Sequence, residues 1–227
     1  MIKNVLLDLD DTILDFKLSE KTALTKTMAE LGVVATDEMI SKYSAYNISQ
    51  WKRLERGEIS RNEVKVNRYR LLFDDLGLDL SPELATKTYE KYLAQRHYFI
   101  DGAKQMLETL YQGYDLYLVS NGTKKVQQGR LESAGIIPMF KGIFVSEDIG
   151  AEKPSVDFFN HVFNSGLDKK KTVIIGDSLS SDIQGGINAN IKTVWYNPHH
   201  TDNSSNIIPD YEISDLKQII SLLQTME

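Results

Sequence analysis

An α/β fold, a doubly wound parallel sheet carrying an inserted helical block, is predicted by three features of the sequence. Short apolar segments alternate with helical patterns in the second half of the chain, and each segment ends in polar or acidic residues. Roughly 80 residues of purely helical pattern also separate the first apolar segment from the rest. Near-continuous apolar strands are those buried on both faces, which is how parallel sheets are covered.

The elements follow in order. Residues 3–8, rich in Val and Leu, read as the first strand. From Ser19 to about Gln95 the pattern is helical. SEKTALTKTMAELG takes Ser19 as N-cap, Leu24, Met28 and Leu31 as its apolar face and Gly32 as its stop. TDEMISKYSAY takes Thr36 as cap, with acids in a first turn that suits them electrostatically. Gly57 interrupts a helical stretch at ERGEIS, and Ser81 followed by Pro82 opens another helix. From about Phe99 helix and strand alternate. The helix DGAKQMLETLYQG, capped by Asp101 and stopped by Gly113, precedes the strand YDLYLVS, a helix from Thr123 to Ala134 and the strand GIFVS. SVDFFNHVFNSG is helical, TVIIGD a strand, SDIQGGINA a helix weakened by paired glycines, IKTVWYN a strand, and SDLKQIISLLQ the closing helix. NPHHTDNSSNIIPD, residues 197–210, reads as loop. The expected division is a core of residues 1–16 and 97–227 with a helical insert at 17–96.

Composition excludes several functions. With no cysteine there is no disulfide, thiolate metal site or cysteine nucleophile. A net charge of -6 opposes general binding of a nucleic acid polymer. The N-terminus reads as neither signal peptide nor membrane span, so no membrane is expected and the expected location is cytoplasmic. The charge is uneven, however: between Trp51 and Arg70 seven Lys or Arg face three Glu. The oligomeric state is not encoded in any of these features.

In an open parallel sheet ligands bind beyond the carboxyl ends of the strands. Those ends carry Asp8, Asp10 and Thr12; Ser120, Asn121 and Gly122; Lys153; and Asp177, Ser178 and Asp182. Hard oxygen donors such as Asp8 and Asp177 suit magnesium. An aspartate can act as nucleophile toward phosphorus, and Ser120 and Lys153 could hold phosphoryl oxygens. Asp10, two residues on, could protonate the leaving alcohol and later take a proton from water.

In order and spacing, DLDDT (Asp8 to Thr12), SNG (Ser120 to Gly122), KP (Lys153 and Pro154) and GDSLSSD (Gly176 to Asp182) resemble the four signature motifs of the haloacid dehalogenase superfamily. The resemblance covers essentially the whole chain, and the helical insert is similar to that superfamily's C1 cap. It implies Mg2+ as cofactor, with Asp8 as nucleophile and metal ligand. Asp10 would be the general acid and base, and would bind the metal through its backbone carbonyl. Ser120 and Lys153 would hold the phosphoryl group within a phosphate-binding set that includes Asn121 and Gly122. Asp177 would complete the metal site, while Asp182 would orient Lys153 or a metal-bound water and Thr12 brace the loop. Dehalogenases of the superfamily lack an acid at the position of Asp10, and the transport ATPase branch carries a KTGT sequence absent here, so a phosphatase is favoured.

DLDDTILDF, WKRLERGEISRNEV, LVSNGT and SEDIGAEKP look like the branch of bacterial house-cleaning 5'-nucleotidases acting on pyrimidine nucleoside monophosphates. The implied partner is therefore a small phosphorylated metabolite, a nucleoside monophosphate. The alternatives are a phosphatase of phosphoglycolate or a phosphosugar, or a phosphosugar mutase, since substrate choice lies in the cap; lesser readings are a dehalogenase and a non-catalytic binding protein. ERGEIS is the candidate cap loop over the site. Arg53, Arg56 and Arg61 read first as a solvated basic face, and Trp51, Tyr43 and Tyr46 as cap core before base-stacking platform. His97, His161, His199 and His200 lack metal spacing, Asp11 is assigned no chemistry, and Asp15 reads as a polar loop residue.

Overall fold

The computed structural model describes residues 1–226. Its strands are β1 (Asn4–Leu7), β2 (Asp115–Ser120), β3 (Phe140–Val145), β4 (Thr172–Gly176), β5 (Lys192–Tyr196) and β6 (Tyr211–Ile213). All pair in parallel in one sheet of order β3-β2-β1-β4-β5-β6. Side chains alternate between two apolar layers, as period-2 geometry requires. Val5, Leu7, Leu116, Leu118, Val173 and Ile175 join one cluster, while Leu6, Val119 and Ile174 join the other. Helices α5 (Ala103–Leu110), α6 (Lys124–Ala134) and α10 (Gln218–Thr225) supply the first layer; α8 (Val156–Phe163) and α9 (Gln184–Ala189) supply the second, with the short α7 (Ser146–Ile149) following β3.

Between β1 and α5 stand four helices, α1 (Phe16–Glu30), α2 (Asp37–Glu55), α3 (Arg61–Leu76) and α4 (Pro82–Ala94), with an apolar cluster of their own around Leu24, Tyr43, Tyr69, Leu72 and Tyr89. The chain leaves the core and returns to it side by side. Leu14 bridges Phe99, Asp15 N donates to Tyr98 O at 2.8 Å, and Ile100 N donates to Ile13 O at 3.0 Å. Two adjacent connections therefore carry the helical block over the carboxyl ends of the strands.

Caps follow local chemistry. Thr36 and Ser81 accept from the backbone three residues on, and Ser60 with Glu63 forms a capping box at the start of α3. Helix α1 starts earlier than expected: Asp15 is its N-cap, accepting from Leu18 N at 2.8 Å, and Ser19 lies inside the first turn. The residue that read as a loop acid is the cap because the helical pattern extends one turn upstream. Asp101 does not cap α5, whose N-cap is Gly102 in the left-handed region. SDIQGGINA is split into a π-helical turn at Leu179–Ile183 and α9. Strand β6, three residues long, follows directly on the loop of residues 197–210.

Candidate active site

The sheet order reverses between β1 and β4, so the loops after these two strands diverge to opposite sides and leave a crevice between them. Asp8 follows β1, Asp177 follows β4, and Ser120 ends the neighbouring β2. Across the crevice lies Lys153, 1% exposed, whose Nζ donates to Asp8 Oδ1 at 2.6 Å, Asp182 Oδ1 at 2.7 Å and Val119 O at 2.9 Å. Its three donors are filled, and the lysine stands as a fixed positive charge between two carboxylates.

Asp8, Asp177 and Asp182 bring one carboxylate oxygen each within 4.8 Å of one another. Burial pushes the Asp8 carboxyl up to about 8, with Lys153 opposing and Asp182 and Asp10 reinforcing the rise. Asp177 is raised well above the carboxylate range, first by burial and then by Asp8 and Asp182. Burial works against the Lys153 ammonium, but Asp182 and Asp8 outweigh it and hold the lysine protonated. Three carboxylates facing one ammonium leave the cluster short of positive charge, and its donors are all hard oxygens, which fits a small divalent cation.

The supporting bonds explain the loops. Thr12, fully buried, accepts from Asp177 N at 3.1 Å and lies 3.5 Å from Asp177 Oδ1, tying the β1 loop to the β4 loop. Asp182 also accepts from Ser178 N at 3.1 Å. Asn121 and Lys153 exchange bonds: Asn121 Nδ2 donates to Lys153 O at 2.9 Å and Lys153 N to Asn121 Oδ1 at 2.8 Å. Ser120 Oγ accepts from Gly122 N at 3.1 Å and from Gln127 Nε2 at 2.8 Å. A Cβ on Gly122 would collide with the Gln127 amide, so the glycine lets that side chain pass. Asp11, at φ 57°, accepts from Phe16 N at 2.9 Å and serves the start of α1.

The side chain of Asp10 faces a pair that the sequence did not single out. Arg130 Nη1 donates to Asp10 Oδ1, and Gln127 Nε2 donates to Oδ2 at 2.6 Å. Both lie on α6, three residues apart and so on one face, in a predominantly polar helix. The only available signal was that this face also carries the buried Val126 and Leu131.

The helical block closes over these residues. Arg61, at the start of α3, donates to Asn121 O and Gly122 O at 2.9 Å each, to Ser146 Oγ at 2.6 Å and to Glu152 Oε1 at 2.8 Å. Arg53 and Arg56 pair instead with exposed Glu58 next to Gly57. A cavity of about 240 Å³ lies between core and helical block, touching Asp8, Asp10, Ser120, Asn121, Gly122, Lys153, Asp177 and Asp182 on one side and Phe16, Trp51, Glu55 and Leu93 on the other. Tyr43 is fully buried and Tyr46 packs against the same cluster, as expected of core residues, whereas Trp51 faces the cavity. Among the described residues the metal-competent cluster contains none of His97, His161, His199 or His200, and no helix is long and apolar enough to cross a membrane.

A model of haloacid dehalogenase-like hydrolases matches residues 5–196. The chain is similar to the HAD-hydrolase YfnB of Bacillus subtilis (strain 168), 39% identical over 97% of this chain and 95% of the relative. It is also similar to the pyrimidine 5'-nucleotidase PynA of Streptococcus pneumoniae (strain ATCC BAA-255 / R6), 38% identical over 97% and 94%. The magnesium-bound crystal structure of YfnB, described as revealing interdomain movement, superposes with a TM-score of 0.93 at 38% identity, covering 98% of each chain.

Proposed function

From the premise that this chain belongs to the haloacid dehalogenase-like hydrolases, we propose that it is a magnesium-dependent phosphohydrolase acting through an aspartyl-phosphate intermediate, a 5'-nucleotidase of pyrimidine nucleoside monophosphates. The observation that carries the reading is Lys153 Nζ bridging Asp8 and Asp182 beside Asp177 at the mouth of a cavity that runs on beneath the helical block. The nucleotide preference draws on the relative PynA and on YjjG of Escherichia coli (strain K12), 27% identical and also named a pyrimidine 5'-nucleotidase. In this reading residues 17–96 are a cap on a core of 1–16 and 97–227, its two connections pairing at Leu14 and Phe99.

Asp8 and Asp177, with the backbone carbonyl of Asp10, would hold the magnesium ion, which when bound supplies the positive charge that the buried carboxylates lack. The Lys153 ammonium favours the ionised, nucleophilic form of Asp8 and draws a phosphoryl oxygen toward itself. Asp8 attacks phosphorus in line with the ester oxygen, which leaves carrying a proton from Asp10. Ser120 Oγ and the backbone N–H groups of its loop bind the remaining phosphoryl oxygens, and Asn121 holds the Lys153 loop in register. Asp10, again a base, deprotonates the water that hydrolyses the aspartyl phosphate. Asp182 keeps Lys153 aimed at Asp8, and Thr12 keeps the β1 and β4 loops together.

The test is phosphate release with magnesium across nucleoside monophosphates, phosphosugars and phosphoglycolate, with Asp8→Asn as control. Turnover of uridylate or thymidylate above the rest, abolished in the control, is the expected result. A preference for phosphosugars would overturn the nucleotide reading, and full activity in Asp8→Asn would overturn the mechanism.

A further inference from the structure

Toward the cap the cavity wall changes character. It is formed there by Arg68 of α3, Tyr89, Glu90 and Leu93 of α4, Trp51 of α2 and Phe16 of α1. Arg68 is a buried cation, 4% exposed, that forms no ion pair among the described residues. Its Nε donates to Lys65 O at 3.2 Å and its Nη1 to Asn47 Oδ1 at 2.9 Å. The guanidinium lies 4.8 Å from the ring centroid of Tyr89 and 5.7 Å from those of Tyr43 and Tyr69. Three aromatic rings and two hydrogen bonds therefore fix its orientation and leave Nη2 without a hydrogen bond. A buried charge with an unfilled donor costs free energy that a ligand acceptor would offset.

Glu90 is its counterpart. Its Oε1 atom is buried and ion-paired with the Lys65 ammonium at 3.1 Å, and among the described residues no hydrogen bond fills Oε2. One wall thus offers an oriented donor and an unfilled acceptor, flanked by Trp51, Phe16 and Leu93, which suit the faces of a flat ring. A second anionic group does not match this wall, because Glu55 and Glu90 both line the cavity.

We propose that Arg68 and Glu90 read the base of the substrate: Arg68 Nη2 donates to a ring carbonyl and Glu90 Oε2 accepts the adjacent ring N–H. The pair selects a neutral heterocycle with an imide edge, the class of uracil and thymine. The inference rests on the reading of the site as a nucleoside monophosphatase.

The experiment compares kcat/KM for uridine 5'-monophosphate, N3-methyluridine 5'-monophosphate and p-nitrophenyl phosphate, in the wild type and in Glu90→Leu. The wild type is expected to prefer the unmethylated uridylate by about 10–100-fold, the loss typical of one hydrogen bond to a charged acceptor. In Glu90→Leu that preference should vanish, and the ratio of uridylate to p-nitrophenyl phosphate turnover should fall by a similar factor. A wild type indifferent to the methyl group, or a variant that keeps the preference, overturns the inference while leaving the phosphohydrolase reading intact. A wild type that hydrolyses none of the three esters overturns both. If Glu90→Leu does not fold, the comparison of the two uridylates on the wild type decides alone.

Discussion

The guanidinium of Arg130, completely buried in α6, donates to the carboxylate of Asp10 and has little other use for its charge: it donates to Gln127 Oε1 at 3.0 Å, while its Nε and Nη2 are buried without partners. An arginine buried on these terms is retained for the geometry it imposes on its partner. In the proposed mechanism that partner is the proton donor. Arg130→Met should therefore slow hydrolysis of alkyl phosphates by about tenfold or more, within the range of general acid catalysis. With p-nitrophenyl phosphate, whose leaving group needs no proton, the first step should persist while hydrolysis of the aspartyl phosphate slows. Rapid mixing should then show a burst of p-nitrophenolate close to the enzyme concentration. Equal losses on both esters without a burst would mean that Arg130 only supports the fold.

Arg61 is the principal polar tie between the helical block and the segments that follow β2 and β3, with two acceptors on each and 11% side-chain exposure. Lys65 to Glu147 and Ser180 to Glu55 add weaker ties at more exposed positions. Arg61→Ala should favour an open arrangement of the block. The expected outcome is a larger radius of gyration in solution scattering and a KM raised roughly tenfold, with Arg61→Lys intermediate because an ammonium cannot reproduce the planar fork.

Stability should depend on pH in a way that a divalent cation cancels. Asp8 rises from 3.8 to about 8 on folding, chiefly through burial, and Asp177 is raised in the same direction. Between these values the folded state holds protons that the unfolded state has released, so this contribution is full below pH 3.8 and is lost as pH climbs toward 8. A bound cation favours the ionised carboxylates and removes that loss. The rise in Tm produced by magnesium over a chelator should therefore grow steadily between pH 5 and pH 8, roughly following this titration. A magnesium effect independent of pH would exclude these carboxylates as its site.

How far the sequence carried this picture depended on whether a residue's surroundings were local. The strands were legible because period-2 burial on both faces leaves unbroken apolar runs, and the acids stood out because Asp8 and Asp177 end such runs. Thr36 and Ser81 were legible as caps because the bond each makes spans three residues. Arg61 was hidden among the similar charges of WKRLERGEISRNEV, since its acceptors lie 60 to 91 residues away. Arg130 and Arg68 were hidden for the same reason: a buried arginine looks like a surface arginine until the Asp10 carboxylate or the three tyrosine rings are brought to it. Asp15 was misread because Ser19, one turn later, offers an equally good capping side chain.

The glycine before Asp177 has a physical reason that a variant can expose. A Cβ at Gly176 would run into the carboxyl group and the Cβ of Asp182, which is 1% exposed. Asp182 would have to turn, lengthening its bonds to Lys153 Nζ, now 2.7 Å, and to Ser178 N, now 3.1 Å. Gly176→Ala should thus combine overpacking, worth about 1–3 kcal/mol, with a weakened buried ion pair, so that Tm falls by several degrees. Activity should fall further than stability explains, because Lys153, once released by Asp182, is no longer held against Asp8. The double variant Gly176→Ala/Asp182→Ser separates the two effects: serine takes away the clashing carboxyl group and keeps only the Cβ at 2.6 Å, so part of the lost Tm should return while turnover stays low. Recovery of turnover along with Tm would show that the ion pair between Lys153 and Asp182 contributes nothing to the reaction.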